Sequence, residues 1–443
     1  MNASGVKVVM ATAWYPPYDI GGTEIYVEGL VDELSRLGAQ CVVLAPRHGD
    51  APARYEHRGV SVETYPVNAE PTRAELRDDA PHDGFDCFRQ MLMRHSGALY
   101  HQHAWTRGCG LNHLRAAREL AFRTALSVHV ASPICLRGTM LRFGVEPCDG
   151  RIDGATCGAC WAQERGAPGV VSRAVGLLPP PVARGARQFD GRLATMLGAR
   201  SLAADKARAL GEAFESSDRV IAVCQWLFDA LALNGAPKEK LALSRHGLGA
   251  DYLESARAVA GSRRTPDGLL KLVYLGRWDR VKGIDIVVAA VRAIPSSLPI
   301  QLTIHAIAPA SDPIYEAEVR ALIDGDPRII IATALDRAHL ASALAAHDVL
   351  VAPSQCFETG PIVVLEAIAA GLFVLGSRLG GIAELVDEAD GGELVEASDV
   401  AEWSQAIARL AARRKAGPLA RSRRRVRGQS EVAEDMLALY RAM

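Results

Sequence analysis

The chain has 443 residues, enough for two or three ordinary domains with sizeable cores. Its 50 Lys and Arg against 51 Asp and Glu leave a net charge of -1, which supplies no global field for nucleic acid; no nucleic-acid partner is expected. With 49% hydrophobic and 23% charged residues the composition is that of a soluble globular protein, and no stretch nears the roughly 20 apolar residues of a membrane-spanning helix.

The opening "MNASGVKVVMATAWYPP" has no basic region followed by a long apolar segment, so no signal peptide is expected and a cytoplasmic chain is read. The first strand is "VKVVMAT". A loop carrying Gly21-Gly22 follows, then an amphipathic helix, "EIYVEGLVDELSRLG", with Ile25, Leu30, Leu34 and Leu37 near helical spacing and Gly38 placed to end it. Further strands are predicted in "AQCVVLAP", "GALYHQH", "TALSVHVA" and "SDRVIAVC", with helices between them. The alternation restarts at "LLKLVYLG" and runs through "IQLTIHAIA", "RIIIATAL", "DVLVAPS" and "LFVLGS". Strands alternating with helices imply parallel sheets covered on both faces. The expected division is a Rossmann-like domain over 1–247, a polar junction around 247–268, a second Rossmann-like domain over 268–425 and a terminal helix over 426–443 that could cross back to the first domain. Two such domains facing each other leave a cleft at the carboxyl ends of their strands, where ligands bind.

Chemistry concentrates in the second half. In "LVYLGRWDRVKGIDIVVAAV", Gly276 ends a strand, and Arg277 and Lys282 stand between it and the next helix. Two cations beside a helix N-terminus suit a diphosphate, though both also read as solvated loop charges. "SQCFETGPIVVLEAIAAG" supplies a second helix, expected over Pro361 to Ala370 with Gly360 before it and Pro361 at the first helical position, and the free N–H groups at its start, Ile362 and Val363 among them, suit phosphate or a sugar hydroxyl. Glu366 interrupts an apolar helix. Such a carboxylate is either paired with a buried Arg or Lys, or it accepts the two vicinal hydroxyls of a ribose. Glu358 lies one turn and a loop upstream.

Here the chain resembles family 4 of the glycosyltransferases, retaining enzymes of the GT-B fold. "FETGPIVVLEA" is similar to their E-x7-E motif, "GRWDRVKG" to their Arg-Lys diphosphate motif, "GGTEIYVEGLVDEL" to their glycine-rich first loop and helix, and "LSVHVASPIC" to their His strand. The resemblance implies a sugar moved from a UDP- or GDP-sugar to a glycan or lipid-linked acceptor, bound mainly by the first domain, with retention of anomeric configuration. It implies roles as well. Glu366 would bind the nucleotide ribose, Glu358 would stand by the donor sugar, and Arg277 and Lys282 would neutralise the leaving diphosphate. Gly21 and Gly22 would let backbone approach phosphate or acceptor, and His129 would meet the sugar hydroxyls. Two departures from the family pattern stand out: Thr359-Gly360-Pro361 where Phe-Gly is common, so one backbone contact to phosphate is either missing or moved to Ile362 and Val363, and Val130 after His129 where many relatives have Asp. The rival readings are a catalytically silent partner that binds nucleotide sugar or glycan, and a nucleotide-sugar epimerase. No catalytic metal is expected, because preorganised Arg, Lys and helix N-termini can stabilise leaving-group charge without one. The Asp324–Asp326 pair precedes a strand and would face away from the cleft.

Four of the nine cysteines stand apart, Cys135, Cys148, Cys157 and Cys160, spaced C-x12-C-x8-C-x2-C in an insertion over 135–160. That spacing suits a structural zinc, or less well an iron–sulfur cluster; the alternative is four free or paired thiols in an irregular loop. His101 and His103 read more readily as structural than as pocket-lining. The basic run from Ala412 to Gly428 reads either as a solvated segment or as a peripheral contact with anionic membrane lipid.

Overall fold

Runs of Val, Ile and Leu with little polar alternation form strands that are buried on both faces, as "KLVYLG" and "VLVA" illustrate. The computed structural model describes residues 5–18, 21–49, 51–72, 74–75, 80–189, 191–260, 268–307, 312–387, 391–419, 422 and 424–443. It divides into two units, Met1–Arg245 with Gln429–Met443, and His246–Gly428.

The strands of the first unit are β1 (Lys7–Ala11), β2 (Gln40–His48), β3 (Ala53–His57), β4 (Val60–Val67), β5 (Leu99–Gln102), β6 (Arg123–Val128), β7 (Leu141–Arg142), β8 (Glu146–Pro147), β9 (Arg219–Ala222) and β10 (Leu241–Leu243). Eight of them form one sheet in the order β10-β9-β6-β5-β1-β2-β4-β3. All its pairings are parallel except β3 with β4, an edge hairpin over Ala53–Val67 that the alternation pattern did not reveal. β7 and β8 make a separate two-stranded hairpin inside the cysteine insertion. The terminal helix Gln429–Arg441 belongs to this unit. It buries Val432, Ala433, Met436, Leu437 and Tyr440 in the core that also holds Val27, Leu30 and Leu34 of the helix Gly22–Arg36. Gln429 Nε2 donates to the Tyr26 carbonyl at 3.0 Å, and Tyr440 Oη lies 2.6 Å from His101 Nδ1.

In the second unit the strands are β11 (Leu270–Arg277), β12 (Ile300–Ile307), β13 (Ile329–Ala332), β14 (Val349–Ala352), β15 (Phe373–Ser377) and β16 (Gly392–Val395). Their order is β13-β12-β11-β14-β15-β16, all parallel. The connections run outward from β11 on one side and from β14 on the other, so the chain reverses direction between these two neighbours. In open parallel sheets such a reversal point, at the carboxyl ends of the two strands, is the crevice where ligands bind. The polar junction expected over 247–268 is mostly something else. Ala250–Ala260 is a helix whose Tyr252, Leu253, Ala256 and Val259 pack into the core beside β14 and β15, a stripe masked by the polar residues around it; 261–267 lie outside the described residues.

Candidate functional site

The crevice between β11 and β14 gathers most of the site residues expected in the second half. Arg277 is the last residue of β11, and a single 3-10 turn, Arg280–Lys282, carries Lys282 back towards it. Asp279 caps that turn through Val281 N–H at 3.1 Å. Gly283 follows with φ +66°, and a Cβ there would meet the Pro353 carbonyl oxygen at 2.1 Å. Only glycine fits this junction, which brings the β11 and β14 loops into backbone contact. Gln355 ties them further, its N–H donating to the Val281 carbonyl at 2.7 Å.

On the β14 side, Glu358 is partly buried. Its Oε1 accepts from Lys282 Nζ and, at 2.9 Å, from Ser354 Oγ. In the free protein Lys282 is thus answered by Glu358, whereas the sequence suggested two groups acting apart. The Glu358 backbone is pinned as well, since its carbonyl accepts from Gly381 N–H at 2.6 Å. Gly360 has φ +105°, and its carbonyl lies 3.0 Å from His246 Nδ1. The helix begins at Ile362 rather than at Pro361, which stands at the cap position. Ile362 and Val363 are therefore its first two residues, and their N–H groups have no acceptor inside the helix. Arg277 remains exposed, 3.4 Å from Asp279.

Glu366 is 5% exposed and its nearest cation, Arg337, is 3.9 Å away with a largely exposed side chain. Burial pushes its carboxyl up to about 7, with Arg337 pulling weakly the other way. This is no tight buried ion pair. Tyr252 Oη donates at 2.9 Å to the Glu366 carbonyl and so steadies the helix at that turn. Asp326 is bound to Arg328 by side-chain contacts of 2.7 and 3.0 Å.

The first unit holds the remaining candidates at its own point of reversal, between β1 and β5. Gly21 is the cap of the helix Gly22–Arg36, and its N–H donates to Glu24 Oε2 at 2.9 Å; a Cβ on Gly21 would stand 2.8 Å from that oxygen. His129, just past β6, is buried under the Tyr26 ring with centroids 4.8 Å apart, and its Nε2 lies 3.2 Å from His103 Nδ1. His101 bridges Tyr440 Oη and, at 2.8 Å, Ser127 Oγ. Burial lowers His101 to about 3 and His103 well below the ordinary range, so both are neutral at physiological pH. His101 links the sheet to the terminal helix, and His103 orients His129.

Cys135, Cys148, Cys157 and Cys160 line one cavity of about 150 Å³ together with Arg137, Arg142 and Asp153. All four are free thiols. Among the described residues, no group of three or more His, Cys, Asp or Glu side chains is arranged to hold a metal ion. Within the basic run 412–428, Arg414 is buried with Nε 3.2 Å from Asp348 Oδ1 and Arg424 donates to the Leu385 carbonyl at 3.0 Å, while Arg413, Lys415 and Arg425 are exposed. Ser354, His246, Tyr252 and Gly381 went unread in the sequence; the last three act through partners distant in the chain, whereas Ser354 stands four residues before its partner Glu358. No helix among the described residues is long and apolar enough to cross a membrane.

Residues 270–413 match the family model of glycosyl transferases group 1. That stretch contains Arg277, Lys282, Glu358 and Glu366. The D-inositol 3-phosphate glycosyltransferase of Arthrobacter sp. (strain FB24) is 30% identical over 152 residues, 33% of this chain and 35% of that protein. D-inositol 3-phosphate glycosyltransferase 1 of Catenulispora acidiphila is 28% identical over 309 residues, 64% of this chain and 69% of its own length. The matches thus span between a third and about two thirds of these two relatives. Sucrose-phosphate synthase from Thermosynechococcus elongatus aligns over 99% of this chain and 98% of its own, with a TM-score of 0.63 at 20% identity. HepE of Anabaena, in complex with UDP-glucose, aligns over 99% of this chain and 100% of its own, with a TM-score of 0.60 at 14% identity. At such identities the likeness is one of fold. The chain has the GT-B fold, two Rossmann-like domains.

Proposed function

We propose that the chain is a retaining glycosyltransferase that moves a sugar from a UDP- or GDP-sugar to a glycan or lipid-linked acceptor. The observation that carries this reading is the crevice between β11 and β14. There Lys282, Arg277 and the N–H groups of Ile362 and Val363, which have no acceptor inside the helix, offer positive charge to a diphosphate, while Glu366 lies buried one turn deeper with only the distant Arg337, 3.9 Å away, as a counter-charge. A ribose diol donating two hydrogen bonds would stabilise the ionised carboxylate that the free protein penalises.

In the transition state the bond from the anomeric carbon to the diphosphate lengthens, negative charge gathers on the leaving oxygens and positive charge on the sugar. Lys282 and Arg277 stabilise the first, acting from positions set before the reaction, and need no catalytic metal. Glu358, held by Lys282 and Ser354, stands by the second as a fixed carboxylate. The leaving phosphate takes the acceptor's proton on the face it departs from, which yields retention. Binding of the acceptor falls to the first unit, around Gly21, Gly22 and the buried His129.

The test is a thermal-shift panel of UDP- and GDP-sugars followed by NMR of the products. One donor should raise the apparent Tm, because a ligand bound only to the folded state stabilises it. The glycoside formed with an added acceptor should keep the donor's anomeric configuration. Release of an epimerised free sugar, or donor binding with no turnover over any acceptor, would overturn the assignment.

A further inference from the structure

The insertion after the cysteine hairpin contains helices that turn the wrong residues outward. Gly169–Leu177 packs on Gly154–Glu164 through Ser172, Val175 and Gly176; a Cβ on Gly176 would meet the Ala155 carbonyl oxygen at 2.3 Å, so the two backbones touch. What remains for solvent is the more apolar face, with Val170 82% and Leu177 72% exposed. The segment after it repeats the inversion. Val182 is exposed beside the buried Ala183 in the helix Pro180–Ala186, and Phe189 and Leu193 are exposed at 68% and 69%. Including Val171, six of the fourteen large hydrophobic side chains exposed among the described residues fall between 170 and 193, a concentration that scattered surface apolarity does not produce.

Charge selects the occupant. From Gly169 to Leu197 the sequence carries Arg173, Arg184, Arg187 and Arg192 against a single acidic residue, Asp190. Arg187 is taken by Asp205 and Arg165 lies over the Trp161 ring, but Arg173, Arg184 and Arg192 are exposed and enter no ion pair among the described residues. Short helices with outward Val, Leu and Phe interleaved with arginines lie in the plane of a membrane interface, the apolar side chains below the headgroups and the cations among the phosphates. We propose that the exposed side chains of Gly169–Phe189 and Arg192–Leu197 dock the protein on an anionic lipid surface. The proposal stands apart from the glycosyl-transfer reading, since the docking involves neither nucleotide nor sugar.

The experiment is cosedimentation of the full chain with vesicles of phosphatidylcholine alone and with phosphatidylglycerol added at about a third of the lipid. Binding is expected to the mixed vesicles, at least tenfold weaker to pure phosphatidylcholine, and to weaken in 0.5 M salt, which shortens the Debye length to a few ångströms (about 3 Å at 1 M). Leu177→Ser with Phe189→Ser should cut the affinity for mixed vesicles about tenfold. Arg173→Gln with Arg184→Gln should abolish the preference for the anionic lipid. These side chains are exposed, so circular dichroism and Tm should stay as in the parent; if one pair unfolds the insertion, Val170→Ser with Leu193→Ser serves in its place. No binding to mixed vesicles, binding indifferent to both kinds of variant, or a monomer–dimer equilibrium that the Leu177 and Phe189 changes abolish while vesicle binding persists would overturn the proposal.

Discussion

Glu366→Gln should make the folded protein more stable and the proposed enzyme worse. The carboxyl is 5% exposed, and burial lifts it from an ordinary 4.5 to about 7. Below pH 4.5 it is neutral in both folded and unfolded chains and costs nothing. Between pH 4.5 and about 7 the unfolded chain releases its proton while the folded one keeps it, so stability falls as pH rises. Above 7 the whole difference is lost, on the order of 3 kcal/mol at about 1.4 kcal/mol per unit. Glutamine has the same shape and no charge to desolvate. The substitution should therefore raise the urea-unfolding free energy of the second unit by roughly 1 kcal/mol at pH 5.5 and up to about 3 kcal/mol at pH 8. The same variant should bind the preferred nucleoside diphosphate about tenfold or more weakly, because hydrogen bonds to a charged acceptor are worth about 1.5–3 kcal/mol. Urea titrations at both pH values, with calorimetry of UDP and GDP on the same preparations, read both effects. A variant that is destabilised at pH 8 would show that the carboxylate has a strong internal partner. Unchanged nucleotide affinity would remove it from the site.

Glu358→Gln is expected to lower kcat on the order of 10²-fold with little change in donor Kd, the loss of one preorganised electrostatic contact; near-normal kcat would reduce the carboxylate to a holder of Lys282. Activity should survive EDTA, since Arg277 and Lys282 are proposed to supply the positive charge at the diphosphate, and immediate inhibition reversed by Mg²⁺ would contradict that. Zinc is proposed to close the four-cysteine cavity, drawing in thiols that do not yet form a cage. One equivalent added to the reduced protein should raise Tm, and the rise should vanish in Cys157→Ser with Cys160→Ser. An unmoved Tm in the parent would leave the four thiols a plain lining.

The order of strands and helices was readable because buried parallel strands announce themselves as apolar runs, and "LKLVYLG" and "FVLGS" sit where the pattern put them. The β3–β4 hairpin escaped because "ARYEH" is half exposed and ends in a tight turn at Arg58-Gly59 rather than in a helix. Glu358 and Lys282 could each be picked out by local context, but not their contact, which depends on Gly283 letting two loops meet at the Pro353 carbonyl. The cysteine spacing brought four thiols to one cavity without dictating their separations. The arginines of 412–428 look alike in sequence; only packing shows that Arg414 is buried on Asp348.

The central claim is that the crevice between β11 and β14 binds the diphosphate of a nucleotide sugar. Isothermal titration of the intact chain with UDP and with GDP, repeated on Lys282→Met, tests it most directly. One of the two nucleotides should bind to the parent, and the variant should lose at least tenfold in affinity while keeping its unfolding profile. Parent protein that binds neither nucleotide, or a folded Lys282→Met that binds as tightly as the parent, would contradict the account.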